Sequence, residues 1–82
     1  MKSSKDASEA LVKAARAYGK ALRAQHVASE NLHAAAVAGN PIKVLDRVHD
    51  KACDAVGATQ HEVLILAAIV GGWTREDAEG AV

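Results

Sequence analysis

An all-α fold, a long helical hairpin, is what this 82-residue sequence predicts, and three observations predict it. From Lys5 to Ala38 there is no proline and a single glycine, Gly19, in a run dominated by Ala, Leu, Lys, Arg and Glu, the best helix formers. Gly39-Asn40-Pro41 then interrupts that run with residues suited to ending one helix and starting another. On both sides of the interruption apolar residues recur every seven positions, the period of two helices packed side by side. No strand pattern competes, because the only β-branched cluster is Val63 to Val70, and an isolated strand would lack a partner.

Each element has its own justification. Ser3 or Ser4 is positioned to cap the first helix, with Asp6 and Glu9 near its positive end, which gives an arm over about residues 5–38. Glycine suits the left-handed position after a helix, Asn40 can cap the next one, and Pro41 fits a first turn, where its missing N–H is not needed. The second arm covers about residues 41–71. Gly57 can stop a helix there, and Thr59-Gln60-His61-Glu62 has the form of a capping box, so a break near 57–59 is the alternative to the nearly continuous arm that the periodicity favours. Gly71-Gly72 ends it, and Thr74 followed by Asp77 marks a last short turn. The chain reads as one helical domain over 1–82, with residues 1–4 and 74–82 as frayed tails.

Seven-residue spacing also says what packs on what. In the first arm Leu11, Tyr18, Gln25 and Leu32 form one row, and Ala7, Ala14, Ala21, Ala28 and Ala35 form an all-alanine row beside it. Small side chains at regular positions let two helix backbones approach at the lower end of the usual separation of roughly 8–10 Å. The pattern resembles an alanine-seamed antiparallel coiled coil, with Gln25 interrupting the large-residue row. In the second arm Ile42, His49, Val56, Val63 and Val70 lie seven apart, as do Leu45, Ala52, Thr59 and Leu66. The phase survives the Gly57 to Thr59 segment, which favours one long returning arm over a compact three-helix bundle.

The unbroken apolar run from Val63 to Val70 points around a whole helix circumference, and one partner helix buries only a stripe. Full burial of its six large side chains would contribute on the order of 10 kcal/mol. The expected cover is a second copy of the chain, giving a four-helix, alanine-seamed dimer in which Ala14, Ala21, Ala28, Leu32, Val63, Leu66 and Ile69 mediate self-association.

Composition narrows the function classes. Cys53 is the only cysteine, so no intrachain disulfide staples the fold, and a reducing compartment is expected. The polar start is unlike the core of a signal peptide, and the unbroken apolar run is shorter than the ~18 residues of a membrane span, so the expectation is a cytoplasmic protein with no membrane span. Charges sum to zero but divide unevenly: six basic residues against two acidic up to Gln25, four against eight beyond it. Lys13, Arg16, Lys20 and Arg23 recur at helical spacing as a basic stripe, either a solvated face or a contact for phosphate or an acidic partner. His49 and Cys53, four apart, are the one pair that can face a single metal, with Asp46, Asp50 or His33 needed to complete it; as a nucleophile and base they lack a third orienting group. No catalytic residue, cofactor or metal site is expected.

Two resemblances bear on function. Within residues 49–66, Ala52, Val56, Gly57, Thr59, Gln60, Val63 and Leu66 match the spacing of bacterial helix-turn-helix segments. That resemblance implies DNA binding, with Thr59, Gln60 and His61 facing base edges, although no Lys or Arg lies between Ala52 and Thr74 to neutralise phosphates. In its richness in alanine, glycine and valine and its lack of phenylalanine, the chain also resembles small helical accessory proteins of actinobacterial phages and their hosts. That second resemblance implies a regulator or inhibitory binder of host proteins, and the reading it favours is a non-enzymatic, self-associating protein that acts by protein contact.

Overall fold

The computed structural model describes residues 2–81, with side chains described from Asp6 to Ala81. Helix α1 (Lys2–Ala38) and helix α2 (Lys43–Val70) form an antiparallel hairpin, and a short helix α3 (Arg75–Ala81) folds back onto α2. Among the described residues there is no strand. The molecule is a strap, 57 × 22 × 14 Å, with a radius of gyration of 16.8 Å where a compact chain of this length would have about 12 Å.

The seam follows the sequence rows. Ala7, Ala21 and Ala28 are buried, and Ala14, Ala35, Leu11, Tyr18, Gln25 and Leu32 are half-buried, while the flanking positions of α1 are mostly exposed. From α2 come Leu45, His49, Ala52, Val56, Thr59 and Val63, all half-buried, and Leu66, buried. Alanine against a larger side chain lets the backbones close in, so the seam forms within one chain.

Both helix ends near a turn close in the same way. Gly39 takes φ 75°, its N–H donates to Ala36 O at 3.2 Å, and Asn40 N–H donates to Ala35 O at 2.9 Å. Gly72 takes φ 105°, its N–H donates to Ile69 O at 3.0 Å, and Trp73 N–H donates to Ala68 O at 3.0 Å. Each pair satisfies two orphan carbonyls at a helix C-terminus, and each needs a residue without a Cβ penalty in the left-handed region.

Several expectations are corrected. Asn40 closes α1 with its backbone N–H and does not cap α2, because α2 starts only at Lys43, with Ile42 as an N-cap that makes no side-chain bond and Pro41 ahead of the first turn. The expected cap at Ser3 or Ser4 falls on side chains outside the described ones, and α1 already runs through both positions, so Asp6 and Glu9 do not lie in its first turn. Of the two alternatives for the second arm, the continuous one that its periodicity favours is found: α2 runs unbroken through Gly57 to Thr59, and Gly57 does not take a positive φ. Thr59 is not a cap either, since its hydroxyl donates back to Ala55 O at 2.7 Å and Val56 O at 3.1 Å, as a threonine inside a helix does. Finally, residues 75–81 are a helix where a frayed tail was expected. Thr74 caps it, Oγ1 accepting from Asp77 N–H at 3.2 Å, and Ala78 is wholly buried.

The apolar run of α2 is covered from two sides within the chain. Val63 and Leu66 face α1, while Ile65, 1% exposed, lies one turn past Glu62, the residue that holds α3 through Arg75. Leu64 and Val70 remain exposed. A second copy is therefore not what buries Ala21, Ala28 and Leu66, and the half-buried Ala14, Leu32, Val63 and Ile69 also belong to the intrachain packing.

Candidate functional site

One side of the seam holds a polar layer. Gln25 Nε2 donates to Cys53 Sγ at 3.2 Å, and His49 Nε2 shares a hydrogen bond with Ser29 Oγ at 2.9 Å. The two pairs stand one helical turn apart on both helices, so a single antiparallel register satisfies both. An all-alanine row looks nearly the same after a slip of seven residues; two side-chain hydrogen bonds at fixed positions do not. This is the registry role best attested for polar groups in helical seams.

As a reactive centre the layer is incomplete. Cys53 Sγ lies 3.8 Å from both ring nitrogens of His49, a long contact, and the imidazole is held by Ser29, a hydroxyl without the charge of a carboxylate partner. Neither His33 nor Asp46 nor Asp50 completes a metal site: no group of three or more His, Cys, Asp or Glu side chains converges among the described residues. Sequence reading paired His49 with Cys53, noted Gln25 only as an interruption of its row, and missed Ser29; the available signal was that Gln25 and His49 each put a polar side chain into an otherwise apolar row.

The opposite side of the seam carries a different surface. A shallow groove of about 380 Å³ runs between the helices there, with Lys20, Arg23, Ala24, Val27 and Asn31 from α1 and Val48 from α2. Val27 and Val48 are about half exposed. Lys13, Arg16, Lys20 and Arg23 are all exposed along α1, and no acidic residue interrupts α1 between Lys13 and Arg23. The basic stripe is thus present as a continuous edge of this face.

Helix α3 rises from the same face. Arg75 Nη2 donates to Glu62 Oε2 at 3.2 Å, and Arg75 Nε donates to Glu79 Oε1 at 2.9 Å. Glu62 lies on the same row of α2 as Ala55 and Val48, seven and fourteen residues earlier, which puts the residue that anchors α3 on the groove side. The hydrogen bond to Glu62 and then its charge push the Arg75 guanidinium above its already high ordinary pKa, so it stays charged at any pH the folded chain meets. A second hollow, about 530 Å³ and wide open, lies beside α3 against Gly72, Trp73 and Asp77. Trp73 donates its backbone N–H to the end of α2, while the residue itself is 53% exposed and does not cover the helix end with its side chain.

The residues of the helix-turn-helix resemblance are not brought together as that motif requires. Thr59 is half-buried at the seam and Gln60 and His61 are exposed on a straight helix, so no turn presents the three to a groove of DNA. The continuous α2 also changes the membrane reading. With the polar residues counted in, one window of Lys43–Val70 has mean hydropathy 1.3, and the helix is long and apolar enough to cross a membrane by length and composition. Its pairing with α1 along the alanine seam covers only part of that apolar content, since 11% of the window is buried within the chain.

What fold and surface define is an antiparallel α-helical hairpin with a helical clasp at its open end. No protein-family model matches the chain, and no curated protein or solved structure matches it.

Proposed function

We propose that this chain is a non-enzymatic, self-associating helical protein that acts through protein contacts, as a regulatory or inhibitory binder. One observation carries the reading: the accessible surface is 6025 Å² for 8.5 kDa, whereas a compact monomer of that mass exposes about 4,650 Å². The excess, about 1,400 Å², exceeds the roughly 800 Å² that each partner contributes to a standard protein interface. Much of it is apolar, since Val12, Val27, Val44, Val48 and Leu64 are each about half exposed or more. A hairpin two helices thick has no interior in which to hide such residues; a second layer of helices supplies one.

The DNA-binding alternative lacks its structural basis, a turn at Gly57, because α2 is unbroken there. Light scattering across the micromolar range tests the proposal. A mass of at least two chains is expected, with dissociation on dilution, and a single-chain mass at tens of micromolar overturns it.

A further inference from the structure

We infer that the second copy docks with its acidic α3 laid over the basic stripe of α1, in a parallel dimer whose twofold axis runs along the hairpin. The inference rests on the self-association proposed above and assigns its face, direction and contacts.

Three observations carry it. First, among the described residues α3 packs on α2 and its backbone does not come close to that of α1. Extending the register of the Gln25–Cys53 pair nine residues along both helices puts Glu62, where α3 is anchored, level with Arg16. Beside α3, therefore, a stretch of α1 at the same height carries Lys13, Arg16, Ala17 and Lys20 with nothing over it. Second, the two surfaces are complementary in charge. The stretch is cationic, while α3 offers Glu76, Asp77 and Glu79 against the single cation Arg75, which is already held by Glu62 and Glu79. Third, the same face is apolar farther along, at Val27 and Val48, and it includes the small row Ala10, Ala17 and Ala24, which lets another helix approach closely.

Symmetry decides the direction. Two identical faces stack about a twofold axis that runs either along the hairpin or across it. An axis across the hairpin lays α1 head-to-tail on its own copy. Lys20 and Arg23 lie near the middle of α1, so they would meet Lys20 and Arg23 of the other chain, a like-charge juxtaposition that disfavours the arrangement. An axis along the hairpin lays each α1 over the other chain's α2 at the same end. The partner's α3 then falls into the open place beside the first chain's α3, over Lys13, Arg16 and Lys20. Each α3 fills the gap left by the other.

Charge reversal on both sides tests this. Lys13→Glu with Lys20→Glu, and separately Glu76→Lys with Asp77→Lys, should each weaken dimerisation about tenfold or more by sedimentation equilibrium at low salt, and combining all four should restore affinity to within about threefold. Rescue separates docking from simple damage, because a variant that had only lost α3 would not recover when α1 is changed. Zero-length carbodiimide cross-linking of mixed ordinary and ¹⁵N-labelled wild-type chains gives a second readout. Inter-chain links between Lys13 or Lys20 and Glu76, Asp77 or Glu79 are expected. A wild-type chain that stays monomeric overturns both this inference and the self-association it rests on. A dimer insensitive to the reversals, or cross-linked between chains only elsewhere, overturns the α3 docking alone.

Discussion

Toward the Gly39 turn, α1 and α2 meet through alanine, through the half-buried Leu32 and Leu45, and through the polar pairs Gln25–Cys53 and Ser29–His49. At the open end Ile65 and Leu66 are buried, and a third helix packs on α2 there with Ala78 wholly inside. The first region has a short connection holding its helices together and uses its side chains to set their relative position. The second has no such connection, and there the apolar content rises and a clasp is added. Position is set where the covalent chain already supplies proximity; burial is concentrated where it does not.

The comparison breaks first at Ile65. Ile65→Ala removes the one large side chain that is wholly buried among the described residues, and a loss of about 2–5 kcal/mol in urea denaturation is expected, with α3 released. A loss below about 1 kcal/mol would mean that α3 does not seal the open end. Two glycines, one at the turn and one inside the second arm, come next and should respond with opposite signs. Gly39→Ala places a side chain at φ 75° and should cost about 1–2 kcal/mol, although the space around it is open. Gly57→Ala, inside a helix and also in open space, should gain roughly 1 kcal/mol. Thermal melting of the two variants distinguishes a continuous α2 from a broken one. The smallest change in stability is expected at Gln25→Leu, which exchanges one weak hydrogen bond to sulfur for apolar contact and should shift stability by no more than about 1 kcal/mol. Its effect should appear instead in register. Spin labels on the outer faces of α1 and α2 should show one distance in the wild type and a broadened distribution in the variant.

The hairpin was legible because the physics that forms it is local and periodic. Alanine every seven residues from Ala7 to Ala35 marks a seam whatever it packs against, and glycine at 39 needs only its own backbone to end a helix. What covers the seam is a tertiary fact. The same rows fit a second chain or the chain's own return arm, and the return arm, being attached, wins on effective concentration. The Thr59 capping box pointed against the continuous arm for a related reason: threonine has two uses of its hydroxyl, and inside a helix packed along its length the back-bond to Ala55 O prevails. Helix α3 was hidden because its burial consists of one alanine, Ala78, and its anchor is an ion pair thirteen residues back, at Glu62. The basic stripe was visible at once as spacing. Its relation to the acidic segment was not, since only folding brings α3 beside it.

An antiparallel pair joined by so tight a turn closes like a zipper. The first contacts beside Gly39 join residues near one another in the chain, and each further turn of the seam encloses a longer loop, at a cost in entropy that grows only logarithmically, about 0.6 kcal/mol per doubling. Such a topology has short average sequence separation between its contacts and belongs with the fast folders. It also gives motion a direction, because opening starts at the end remote from the turn and works inward. That end is where α3 sits, so the clasp occupies the point from which the molecule would otherwise unzip.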